Sequence, residues 1–435
     1  MVIAMRWQAW ILTTVGGLLL VSGCKDDDDG DDDTASSSSD GTASDGTAAT
    51  LLTSTGAETT MGSTDAGATE GSTEPTTSDT GVMPSNCGDG VLVPGDVCFG
   101  DPVLVSSTPC GALSLADFDG DGTLDMAAGH DGSVSISLGV GDGSFVGAPP
   151  LVANSGVLGL ASADLDGDGA IDLLVSESGA DSIVAYAGDG AGGFSLSDLQ
   201  TDPGAFPRAL VVGDFVGSAA LDYAVVGESS GQVTVYEGAG DGTFDPAQVL
   251  EAGLAPLSLV GQDIDGDGMT DLAAALFGGD SIGVFFGDGA GFSPVAAIAT
   301  GAGPRAAVVG DFDGDGTPDV ASANQDSDDL VVHVQTASQS FAAGQSIALG
   351  PSPRAAVTAD VDADGSTDIF VAIELANTVG ILRSTRSGLD PVVQVVTFPR
   401  PAALAVGDLD GDGAPDLVTA NPGADGGIAV VLAQP

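Results

Sequence analysis

The chain has 435 residues and carries 63 acidic side chains against eight Lys and Arg, a formal charge of −55. That surplus excludes a nucleic-acid partner and repels polyanionic substrates and anionic membrane faces. Glycine stands at about twice its usual share, yet 43% of the residues are hydrophobic, which excludes a wholly disordered chain and leaves enough for a core.

Arg6 precedes an almost wholly apolar stretch, 10–21, which is followed at once by Ser22, Gly23 and Cys24. The stretch is shorter than the roughly 20 residues that cross a bilayer, so residues 1–23 read as an export signal. The order Leu20, Val21, Ser22, Gly23, Cys24 resembles a bacterial lipoprotein signal, with Val21 where leucine is commoner. The resemblance implies cleavage before Cys24, a lipid on its thiol, and an address at the outer membrane or cell surface. An ordinary secretory signal, leaving a secreted or periplasmic protein, is the alternative. Both tryptophans, Trp7 and Trp10, would leave with the signal.

Residues 24–84 are Asp, Ser, Thr, Gly and Ala with few large apolar side chains, so burial cannot repay ordering and the segment reads as a tether. The acidic run at 26–33 repels itself and extends it. The junction, 85–100, holds Cys87 and Cys98 around a loop rich in Gly and Pro, which favours a Cys87–Cys98 staple and leaves Cys110 over. This stretch resembles the first half of short Cys-rich modules in surface proteins of myxobacteria, with Phe99 and Gly100 in place of the acidic continuation. Two cysteines in one loop lack the doubled spacing of a zinc site.

From Asp117 onward a nonamer, Asp-x-Asp-Gly-Asp-Gly-x-x-Asp, recurs with starts at 117, 164, 214, 263, 311, 360 and 408, at spacings of 47 to 50 residues. Asp residues scattered at random would not keep that period. Equal units of this length, built of short apolar runs, suit four-stranded propeller blades. The fifth unit gives the order: strands over 305–310, 320–323, 330–335 and 343–349, with 330–335 alternating as a half-buried strand. Gly-rich turns before an aromatic recur at 141–145, 240–244 and 287–292. The predicted fold is all-β, a seven-bladed propeller over 101–435. The carboxyl end is one strand short, and Val103, Leu104 and Val105 are predicted to supply it beside 417–420 and 428–432.

Calcium takes six to eight oxygens, and a tight loop can offer carboxylates at positions 1, 3, 5 and 9 with a carbonyl at 7. Loop one assigns these roles to Asp117, Asp119, Asp121, Asp125 and the carbonyl of Thr123. Loop two assigns them to Asp164, Asp166, Asp168, Asp172 and Ala170; loop four to Asp263, Asp265, Asp267, Asp271 and Met269. Loop five has Asp311, Asp313, Asp315, Asp319 and Thr317, and loop six Asp360, Asp362, Asp364, Asp368 and Ser366. Loop seven has Asp408, Asp410, Asp412, Asp416 and Ala414. Loop six carries Ala363 at position 4 but keeps Gly365 at position 6. Loop three retains Asp214 and Asp222 but has Val216 and Ser218 at two ligand positions, so it is expected to hold no ion. About six Ca2+ ions are expected, with Mg2+ disfavoured by its strict octahedron. They would bring the net −41 of residues 101–435 to −29.

Motif and period together resemble the FG-GAP/VCBS repeat family, related to the seven-bladed propeller of integrin alpha chains. The resemblance implies calcium in the acidic loops and a recognition or adhesion role toward a protein or glycan surface ligand. A structural cell-envelope protein without a discrete ligand is the alternative, and a carbohydrate-active hydrolase or lyase a further one. The chain is not read as an enzyme: His130 and His333 are its only histidines, and neither has a neighbouring nucleophile in a recognisable motif. Arg208, Arg305 and Arg354, each after a proline, are expected with Arg400 at the ring face opposite the loops, pairing carboxylates between blades. Arg383 and Arg386 are expected in an exposed turn.

Overall fold

The computed structural model describes residues 98–201, 203–217, 219–385, 388–423 and 426–434. The signal, the tether, Cys24, Cys87, Ser218 and Arg386 lie outside the described residues. The chain divides into two units, one of them Asp27–Val82, and every described residue belongs to the other.

The described residues form seven antiparallel blade sheets joined as a ring, six of four strands and the first of five because its outer strand is split in two, with two further two-stranded hairpins. The first strands are Ala112–Ala116, Val157–Ala163, Pro207–Gly213, Pro256–Gln262, Pro304–Gly310, Pro353–Ala359 and Ala403–Gly407. Each packs on the next, and Ala403–Gly407 packs on Ala112–Ala116, which closes the circle. Apart from two 3-10 turns, Phe277–Gly279 and Glu374–Ala376, the described residues contain no helix. None of them is long and apolar enough to cross a membrane.

The second strand of every blade is buried from end to end, as in Asp271–Leu276 and Asp319–Asn324. Neighbouring sheets cover both of its faces, so it reads as a continuous run of Ala, Val and Leu rather than an alternation. Six apolar clusters fill the gaps between blades. One joins Leu113, Leu115 and Met126 of blade 1 to Ala405, Val418 and Val430 of blade 7. Each fully buried Val or Leu contributes about 1.5–3 kcal/mol, and the ring spreads that stabilisation over all blade interfaces.

The fifth blade corrects one expectation. The third strand is Asp329–His333, and its residues from Leu330 to His333 are buried on both sides. Gln335–Ala337 leaves the sheet to pair with Ser340–Phe341 as a separate hairpin. Leu330 and Val332 pack toward blade 6 while Val331 and His333 are 6% and 2% exposed, so the alternation expected of a half-buried strand has no solvent side to report.

The closure runs as the sequence predicts. Val103–Ser106 is the outer strand of blade 7, with Val103 opposite Val430, Leu104 opposite Ala429 and Ser106 opposite Ile428. The pairing extends backward: Phe99 bridges Ala433, and the amide of Gln434 donates to the carbonyl of Cys98 at 2.9 Å. Cys98 is disulfide-bonded to a partner outside the described residues, while Cys110 is a buried free thiol. Burial pushes its pKa up to about 12.

Candidate metal centres

Each acidic loop joins the first strand of a blade to its second. The loops share one end of the ring with the hairpins between third and fourth strands. The amide of Gly192 donates to the carbonyl of Phe118 at 3.1 Å and that of Gly143 to Leu409 at 3.1 Å, each reaching the loop of the preceding blade.

Within a loop the aspartates divide the work. The position-1 carboxylate gathers the backbone: Asp117 accepts from the amides of Gly120 at 2.7 Å, Asp121 at 3.2 Å and Gly122 at 2.9 Å. Asp263, Asp311 and Asp408 repeat the bonds to the two glycines. Gly120 and Gly122 have φ of 74° and 91°, where a Cβ is strained, so the Gly-x-Gly spacing is a backbone requirement. The position-5 carboxylate caps its own turn: Asp121 Oδ1 accepts from the Thr123 amide at 2.8 Å and hydroxyl at 2.6 Å. Asp168, Asp267, Asp315, Asp364 and Asp412 accept the amides of Ala170, Met269, Thr317, Ser366 and Ala414 in the same way.

The position-9 aspartate has a role the sequence reading missed. In all seven blades one of its oxygens accepts the amide of position 2 and the other accepts an amide at the end of the third strand or two residues past it, at 2.7–2.9 Å. Asp125, Asp172, Asp222, Asp271, Asp319, Asp368 and Asp416 are all buried. Position 2 is always a buried apolar anchor, from Phe118 through Phe215 to Leu409. The available signal was loop three, which keeps Asp222 although Val216 and Ser218 have lost the metal-binding chemistry.

Positions 1, 3 and 9 converge. Oxygens of Asp117, Asp119 and Asp125 lie within 4.8 Å of one another, as do those of Asp164, Asp166 and Asp172, of Asp263, Asp265 and Asp271, and of Asp360, Asp362 and Asp368. In loop five the group is Asp311, Asp313 and Asp315. Such all-oxygen, anionic sets fit a hard cation. Their electrostatics point the same way. Burial, with the neighbouring carboxylates adding to it, pushes Asp319 up to about 6 and Asp368 and Asp416 up to about 7, and Asp362 Oδ1 is buried without a hydrogen-bond partner. A cation would satisfy both.

Loop three is built differently. Val216 is buried in the core, and Phe215 meets Phe292 of the next blade edge-on at 5.9 Å. The amide of Gly217 donates to the carbonyl of Gly289, and the Gln248 side chain grips both backbone groups of Phe292 at 3.1 and 2.9 Å. Beside it opens a cleft of about 820 Å³ whose lining includes Val216, Glu237, Gln248 and Asp288.

The arginines at or just before the first strands find partners mostly inside their own blade, where between-blade pairing was expected, and three of the four contact a glutamate. Arg208 Nε donates to Glu228 and Arg354 Nε to Glu374, both at 2.5 Å, while Arg400 reaches Glu374 from the next blade at 2.7 Å. Arg305 donates to Gln325 and lies 5.8 Å from the Phe277 ring centroid. Arg383 is not in an exposed turn: it contacts Asp390 at 2.8 Å and Asp362 at 3.6 Å. His130 is held between the Pro109 carbonyl and Ser135 Oγ, each at 2.8 Å.

The repeat model described as FG-GAP-like repeat matches residues 117–175, 217–274, 263–322, 311–371 and 360–419, more than half of the chain. The chain belongs to the FG-GAP-like repeat family. Among solved structures, this FG-GAP-like repeat protein resembles BBS1N in complex with ARL6DN, at 16% identity and a TM-score of 0.57, covering 78% of this chain and 97% of that one. It also resembles virginiamycin B lyase from Staphylococcus aureus, at 14% identity and a TM-score of 0.52, covering 77% and 99%. At these identities the likeness concerns the fold alone. No curated protein matches the chain.

Proposed function

We propose that this FG-GAP-like repeat protein is a calcium-stabilised recognition or adhesion module, held at the cell surface by a lipid on Cys24. The observation that carries the reading is the convergence of three carboxylates in loop after loop, on backbone already ordered by the position-1 aspartate. The site is preorganised, and mutual repulsion is the cost that a divalent ion removes. Calcium suits it better than magnesium, because carbonyl and water oxygens can complete a flexible shell around a larger ion.

A protein or glycan partner fits a rigid ring with mixed surfaces, and the similar BBS1N is in complex with ARL6DN. Both histidines serve packing, His130 in the bonds above and His333 buried beside Ala342, which supports a non-enzymatic reading. Calcium titration followed by thermal melting tests the first half: each site filled at 100 times its dissociation constant adds about 2.7 kcal/mol, and a melting curve indifferent to chelation overturns it. Capture of a surface ligand from native membranes with calcium, lost on chelation, tests the second; no ligand in either condition favours a purely structural envelope role. Detergent-phase partition that survives Cys24→Ala would refute the anchor.

A further inference from the structure

We propose that loop six is the weak calcium site of the ring, filled last and emptied first, because Arg383 competes with the ion for Asp362. The inference rests on the calcium reading above and deepens it. Asp362 holds position 3 of its loop and is 4% exposed, whereas its counterparts Asp119, Asp166, Asp265 and Asp313 are half-buried. Oδ1 is buried without a partner, and one Asp362 oxygen lies within 4.8 Å of oxygens of Asp360 and Asp368. Oδ2 lies 3.6 Å from Arg383 Nη1.

The guanidinium is fixed there. Arg383 Nη2 contacts Asp390 Oδ2 at 2.8 Å, and the amide of Asp390 donates to the carbonyl of Arg383 at 2.8 Å, so side chain and backbone are tied across the same turn. Arginine stays charged at any working pH. It neutralises part of the loop's charge before an ion arrives and repels the ion at short range once it has. Blade 4 supplies the contrast: there the position-3 carboxylate, Asp265, is held by the neutral amide of Gln339 at 2.6 Å. The loop-six backbone adds to the difference, since Ala363 takes a left-handed φ of 54° where the other complete loops have glycine.

Calcium binding to the full chain, measured by titration calorimetry and by equilibrium dialysis, reads this directly. Two classes are expected: five tight sites and one about tenfold or more weaker. Arg383→Gln should bring the sixth into the tight class, and Asp362→Asn should abolish the weak class while leaving five tight sites. Arg383→Met, which keeps the apolar stem, guards against a folding defect in the first variant, with melting in saturating calcium as the check. Five ions in the wild type and six in Arg383→Gln is the same result at its limit. Six equivalent sites, or variants with unchanged affinity and stoichiometry, overturn the role of Arg383 while leaving calcium binding intact. No calcium bound by any form overturns both readings.

Discussion

Asp222 accepts the amide of Gly238 at 2.9 Å in the one acidic loop whose middle ligand positions are lost. Its other oxygen takes the amides of Phe215 and Val216, each at 2.8 Å. The bonds survive where the ion-binding residues do not, so fastening the loop to the third strand is a separate task from holding a cation. Asp222→Asn puts an amide among three buried donors and is expected to cost about 3 kcal/mol. Denaturant melts should show the same loss with calcium or chelator. Asp271→Asn in blade 4 should cost more with calcium present than without, because there the clamp is also a ligand.

The outer strand of blade 7 makes a graded pair of substitutions possible. Val105 packs on the cluster joining the last and first blades, while Leu104 is 41% exposed. Val105→Asp is expected to destabilise by about 2 kcal/mol through burial of a polar group. Leu104→Asp should stay within about 0.5 kcal/mol. Equal effects in thermal melts would show that the strand does not seat as described.

Glu374 offers a pH test away from the acidic loops. Burial pushes its carboxyl up, but Arg354 and Arg400 together outweigh that and hold it below the ordinary glutamate value of 4.5. The unfolded chain therefore takes up the proton first as pH falls. The stabilisation is full above about 4.5 and is lost as pH drops through the lower folded value. Glu374→Gln removes the buried charge that both Arg354 and Arg400 contact and should cost about 3 kcal/mol at neutral pH. The gap between wild type and variant is expected to close below pH 4.5, measured by urea melts across the range in constant calcium.

Phe215 and Phe292 pack edge-on between blades 3 and 4 at 5.9 Å, as Phe118 and Phe194 do at 5.3 Å beside the complete loop one. Phe292→Ala removes the edge-on partner and is expected to cost about 3 kcal/mol, independent of calcium. A calcium-dependent loss would mean that loop three still communicates with a bound ion.

Much of this was legible because the repeat states it many times. Seven spaced aspartate motifs gave the blade count, and a carboxyl end one strand short pointed to Val103, Leu104 and Val105. The third strand of blade 5 was misread because the alternation of Leu330, Val331, Val332 and His333 looks the same whether its second face is covered or not. Arg383 was placed in solvent because it has no sequence relation to Asp362: their approach depends on where the turn between 383 and 390 folds back. The position-9 clamp was hidden by its double use, since a ligand and a hydrogen-bond acceptor are the same residue in the sequence, and only Asp222 separates them.

The seam from Cys98 to Ser106 against 428–434 joins residues more than three hundred positions apart. Such a contact forms late, after the whole polypeptide has emerged, so a half-made ring waits open with its last blade incomplete. It is also where the preceding chain enters. Any pull transmitted along that chain arrives first at Cys98 and the outermost strand, which makes the latch of the ring its mechanical fuse.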